Sequence, residues 1–162
     1  MMRYIFAAAA GLGFATAAQA QTALTYLTDE AVETALVEGG AESVTKVSEP
    51  DQEPVWAGEF GGQIVYANGV ACDDDFKSCQ GLRLISIFPF PEGLAEKDEF
   101  VLKANEFFAA TKVVTFDEEN WMINFYIILN GGVTQENLNE VTRVYVDLAE
   151  STVERMSLTG AD

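Results

Sequence analysis

Apolar and polar positions change their period several times along the chain, and each change marks an element. In "TDEAVETALVEGG", Ala31, Val32, Ala35 and Leu36 fall at helical spacing behind Thr28, a suitable cap, with Asp29 and Glu30 in the first turn. Gly39 and Gly40 predict where this helix stops. The β-branched Val44, Thr45 and Val47 then predict a strand over 42–48, "EPDQEP" a turn, and Val55–Phe60 a second strand.

Gly61 and Gly62 precede "QIVYANGVAC", and "CQGLRLISIFPF" follows a run of aspartates, with Leu82, Leu84 and Phe88 alternating against Arg83. Both segments have strand composition and together predict a hairpin. Asn68-Gly69 offers a tighter turn as the competing reading. Longer strands with a bulge or strain at Gly69 are preferred, because they set the two cysteines opposite one another.

In "EKDEFVLKANEFFAAT" the residues Phe100, Val101, Ala104, Phe107 and Phe108 form one apolar helical stripe. A second hairpin, "KVVTF" to "WMINFYIILN", turns at "DEEN". Trp121, Ile123, Phe125, Ile127 and Leu129 line its buried face, while Met122, Asn124, Tyr126, Ile128 and Asn130 make a face apolar enough to be partly covered. Thr134 then caps a long helix with a seam of Leu138, Val141, Tyr145, Leu148 and Thr152, widened by Val144 and Met156. With no repeat and no interior linker, the pattern predicts one α+β domain over 21–162.

The first residues change where that domain is placed. "MMRYIFAAAAGLGFATAAQA" has one basic residue, an apolar run and small residues at Ala18 and Ala20, and reads as a signal peptide over 1–20. The run is short against the roughly 20 residues of a membrane span, so the mature chain is expected to be periplasmic and not inserted in the membrane. Without Arg3 it carries eight basic residues against twenty-six acidic ones, a net charge of −18. Nucleic acid and anionic lipid would be repelled by such a surface.

The sequence contains no histidine, which removes Ser-His-Asp and Cys-His catalysis and the commonest zinc sites. No phosphate loop is present, and the adjacent carboxylates lie in turns or on outer helix faces where nothing desolvates them. No enzyme and no cofactor is expected. In an oxidising compartment Cys72 and Cys79 are expected to form a disulfide that staples the central hairpin; their spacing is not the C-x-x-C of a catalytic dithiol, and no further soft ligand accompanies them for a metal. The Asp73, Asp74 and Asp75 run could hold calcium, though it lacks the alternate-position ligands of an EF-hand.

Taken together, "DEAVETALVEGG", "GQIVYANGVACDDDFKSCQGLRL", "ANEFFAATK" and "LNGGVTQENL" resemble the YbjN domain family, described as candidate bacterial sensory transduction regulators, in particular its secreted Gram-negative members. The matched positions include Asn105, the two cysteines, and Gly131, Gly132 and Thr134 at the start of the last helix. Phe107, Phe108, Lys112 and Val113 stand where the family commonly has Asn-x-Trp-Asn and Arg-Phe, and Tyr126 stands where it has an acidic residue. The resemblance implies a fold like that of type III secretion chaperones: a twisted antiparallel sheet of about five strands with helices packed on it. It also implies a non-enzymatic regulatory protein acting through protein–protein interaction. The surface of Met122, Asn124, Tyr126 and Ile128 is the candidate site for a protein partner or for homodimerisation. A small-molecule or calcium-binding module using the Asp73–Asp75 loop is the alternative.

Overall fold

The computed structural model describes residues 23–107 and 111–159. The expected signal peptide and Phe108 lie outside them. In chain order the elements are β1 (Ala23–Leu24), α1 (Asp29–Glu38), β2 (Ser43–Lys46), β3 (Val55–Phe60), β4 (Gln63–Cys72), β5 (Cys79–Pro89), α2 (Lys97–Phe107), β6 (Lys112–Thr115), β7 (Asn120–Ile128), β8 (Val133–Thr134) and α3 (Gln135–Thr159).

Local signals set the helix ends. Thr28 Oγ1 accepts from the Ala31 N–H at 3.1 Å, satisfying a donor that the first turn of α1 leaves unpaired. At the other end Gly40 has φ 105°, which lets its N–H and that of Ala41 reach the carbonyls of Val37 and Leu36, each at 3.0 Å. That left-handed exit favours glycine. Thr134 caps α3 in the same way as Thr28, its Oγ1 accepting from the Asn137 N–H at 3.1 Å.

The main sheet is antiparallel, with six strands in the order β2-β3-β4-β5-β7-β6. This is one more than the five or so expected, because the four-residue strands β2 and β6 both pair along their whole length at the edges. A small ladder joins β1 to β8. The helices share one face of the main sheet. Leu36 of α1 packs over Gly58, Phe100 of α2 meets Trp121 edge-on at 5.3 Å, and Tyr145 of α3 reaches Ser86. Strand alternation gathers Trp56, Val65, Leu84, Ile123 and their neighbours beneath them into one core.

Three expectations need correction. There is no bulge at Gly69. Its N–H continues the β3–β4 ladder to the Pro54 carbonyl at 2.8 Å, and an added Cβ would lie 2.7 Å from Pro54 Cγ and 2.8 Å from Cys79 Sγ. The glycine is there for close approach, and the distorted residue is Ala71, at φ 53°. Val144 does not widen the α3 seam; it is exposed, while Thr142, Val146 and Ala149 are buried. Phe107 leaves the apolar stripe of α2 as well, and lies exposed under the Arg155 guanidinium, 4.1 Å from its ring centre.

Candidate functional site

The same alternation that fills the core leaves the opposite side of the sheet without a helix among the described residues. Onto it come Tyr66, Asn68 and Val70 of β4, Arg83, Ile85 and Ile87 of β5, and Met122, Asn124, Tyr126 and Ile128 of β7. All four residues named from the sequence therefore share this face. Tyr126 and Ile128 are 49% and 62% exposed, and Phe116, just beyond β6, is 52% exposed; Met122 and Asn124 are half-buried. Such side chains clustered on one surface are what distinguishes an interaction site from scattered exposure. Tyr126 also leans across Gly81 of β5, where an added Cβ would lie 2.5 Å from Tyr126 Oη. The missing side chain lets the ring lie down on the sheet.

At the centre is a recess of about 290 Å³, walled by Val55, Tyr66, Ile85, Ile87, Phe116 and Met122, with Asn68 and Arg83 among its lining residues. Asn68 and Arg83 are register partners on adjacent strands. Arg83 Nε and Asn68 Oδ1 are both buried without a hydrogen-bond partner. Among the described residues Arg83 is the only charged one lining the recess. An unpaired donor beside an unpaired acceptor on an apolar floor is costly for a protein standing alone. A second recess, of about 340 Å³, lies between Phe88, Phe90, Trp121 and the end of α3. Its polar side chains are already engaged, Trp121 Nε1 donating to the Pro89 carbonyl at 3.1 Å and Ser157 Oγ to that of Val153 at 2.8 Å.

The sequence reading found the β7 half of the open face and missed the β4–β5 half. The available signal was Arg83 itself, alone between Leu82 and Leu84 in a strand otherwise nearly free of charge.

The other residues singled out serve the framework. Cys72 and Cys79 are register partners and are joined by a disulfide, S–S 2.04 Å. The turn between them is not left to electrostatic repulsion, because the Asp73 carboxylate accepts from the N–H groups of Lys77 and Ser78, at 2.8 and 3.1 Å. Asp75 pairs with Lys77 at 2.6 Å, and the hydrogen bond and charge of that ammonium hold its carboxyl below the ordinary value. Two of the three carboxylates proposed for calcium are thus turned to donors of their own loop. Among the described residues no cluster of three or more metal-ligating side chains converges, and no helix is long and apolar enough to cross a membrane.

Asn105 is a latch. Its amide NH₂ donates to the carbonyls of Val101 and Val113, at 2.9 and 2.8 Å, and its Oδ1 accepts from the Val113 N–H at 2.9 Å. It thereby gives the outer edge of β6 the partner that a further strand would supply. Gly131 and Gly132, at φ 100° and 94°, make the turn that leads into β8 and the Thr134 cap.

No protein family's sequence profile and no curated protein matches the chain. Among solved structures its fold is similar to that of YbjN from E. coli, described as a candidate transcription regulator, with a TM-score of 0.59 at 9% identity over 86% of this chain and 97% of that one. The Yersinia pestis type III secretion chaperone SycH, solved in complex with a stable fragment of YscM2, gives a TM-score of 0.48 at 12% identity, over 80% of this chain and 96% of that one. The likeness to YbjN, at that identity, is one of fold alone.

Proposed function

We propose that this protein is a non-enzymatic binding or regulatory protein of the periplasm, and that it docks a protein partner on the open face of its sheet. The observation that carries this reading is the mostly apolar recess, with exposed Phe116 in its wall and exposed Tyr126 and Ile128 on the same face of the sheet. Fold similarity to YbjN, itself described as a candidate transcription regulator, is compatible with a regulatory role. Direct binding to nucleic acid is disfavoured, since 26 acidic residues face 9 basic ones. A second copy stacked in register on the same face is disfavoured too, because it would set one Arg83 against the other where water is excluded.

The absence of catalysis in this reading rests on the chemistry available. The sequence has no histidine, and the Asp73, Asp75 and Asp117 carboxylates hydrogen-bond within their own turns. The test is a pull-down from envelope extracts with the wild-type protein and with Tyr126→Glu and Ile128→Glu. A partner retained by the wild type should be lost from both variants while their thermal midpoints hold. Retention by both variants would contradict docking on this face.

A further inference from the structure

From the pair of unpaired groups at the centre of the open face, we infer that the docked segment carries an acidic residue whose carboxylate seats on Arg83 and whose backbone N–H reaches Asn68. The inference rests on the docking reading above and gives the partner its chemistry. Three observations lead to it.

Arg83 Nε is buried without a hydrogen-bond partner, and Arg83 forms no ion pair among the described residues. A guanidinium on an apolar floor is matched best by a carboxylate, which can accept two parallel N–H bonds. The chain has 26 acidic residues, and among the described ones none pairs with this arginine, which stands out as reserved for something else. Asn68 Oδ1, on the register-paired residue of the neighbouring strand, needs a donor. A peptide offers acceptor and donor within one residue, namely an acidic side chain and its own amide N–H. An ionised fatty acid offers only the acceptor.

Charge argues in the same direction. An acidic segment is repelled by most of this surface and attracted at Arg83, the only charged residue lining the recess among the described residues. That contrast fixes the register of the segment more than it adds affinity. The apolar residues flanking the carboxylate would lie on Ile85 and Met122 to one side and near Tyr126 and Ile128 to the other.

The test uses two dyes of the same ring system, anionic 1-anilinonaphthalene-8-sulfonate and neutral N-phenyl-1-naphthylamine, with the wild type, Arg83→Met and Arg83→Lys. Thermal melts confirm that the variants fold. The sulfonate should bind the wild type about tenfold more tightly than it binds Arg83→Met, with partial rescue in Arg83→Lys and the neutral dye unaffected throughout. Equal binding of both dyes to all three proteins would overturn the anion seat and leave the apolar docking face standing. Binding of neither dye would overturn the docking face itself. In the second arm, a capped apolar heptapeptide with a central Glu should displace the sulfonate about tenfold better than its Gln counterpart, and better than dodecanoate. Stronger displacement by dodecanoate, or none that distinguishes Glu from Gln, would overturn the assignment to an acidic protein segment.

Discussion

Tyr145, midway along α3, sets its hydroxyl 3.0 Å from Ser86 Oγ at the centre of the sheet. The same hydroxyl lies 3.0 Å from the Ile123 carbonyl, and Gln63 Nε2 donates to the Ser86 oxygen at 3.0 Å. One polar chain therefore ties α3 to β4, β5 and β7 inside the core, and burial pushes the phenol pKa up so that it stays neutral. Tyr145→Phe should keep the fold and lower stability by about 1 kcal/mol, since Ser86 retains Gln63. Urea unfolding should show the shift with an unchanged slope. Tyr145→Ala, which also empties the site, should cost about 3 to 5 kcal/mol.

The Asn105 latch leads to a second expectation. Asn105→Ala removes three hydrogen bonds and leaves the Val113 N–H and carbonyl on an unprotected edge. The loss should be about 1 to 3 kcal/mol. Amide hydrogen exchange at Val113 should quicken by far more than exchange in β4, because local opening of β6 becomes easier than global unfolding.

The β6–β7 turn should be acid-sensitive. Asp117 accepts from the Asn120 side chain and from the N–H groups of Glu119 and Asn120, and these bonds, the Asn120 side chain first, hold its pKa below the ordinary 3.8. A lowered carboxyl pKa contributes stability that is present above the unfolded value and is lost as pH falls through the folded one. Asp117→Ala should therefore lower the thermal midpoint at about pH 7, and the gap to wild type should close as the pH falls below the ordinary carboxyl value of 3.8.

Replacing Cys72 and Cys79 by serine should lower stability by about 2 to 3 kcal/mol, as expected for a link closing a short loop. The fold and the open face should survive, because Asp73 still organises the turn. Thermal melts of the reduced wild type and the double variant should coincide.

What could be read from the sequence follows the range of the forces involved. Thr28, Thr134 and the Gly39-Gly40 pair act within a few residues, and they mark the ends of α1 and the start of α3 correctly. Alternation in β7 is equally local, so the separation of Trp121 and Ile123 from Tyr126 and Ile128 was legible. The position of Val144 was not, because the choice between Val144 and Val146 for the core depends on the rotation of α3 fixed by Tyr145 and Ser86, 59 residues apart. Gly69 looked like a bulge for the same reason: Pro54, whose ring demands the glycine, lies 15 residues earlier, just before β3. The recess needs β4, β5 and β7 in register, so the partnership of Asn68 with Arg83 exists only once the sheet is assembled.

The central claim is that the open face of the sheet meets a protein partner. The most direct measurement installs a photo-crosslinking amino acid at Ile128 in the open face and, separately, at Glu150 on the exposed side of α3, in the protein expressed in its native host. The account predicts a discrete adduct from position Ile128, lost when Arg83→Met is added, and no such adduct from position Glu150. Equal adducts from both positions, or none from Ile128 while Glu150 yields one, would contradict it.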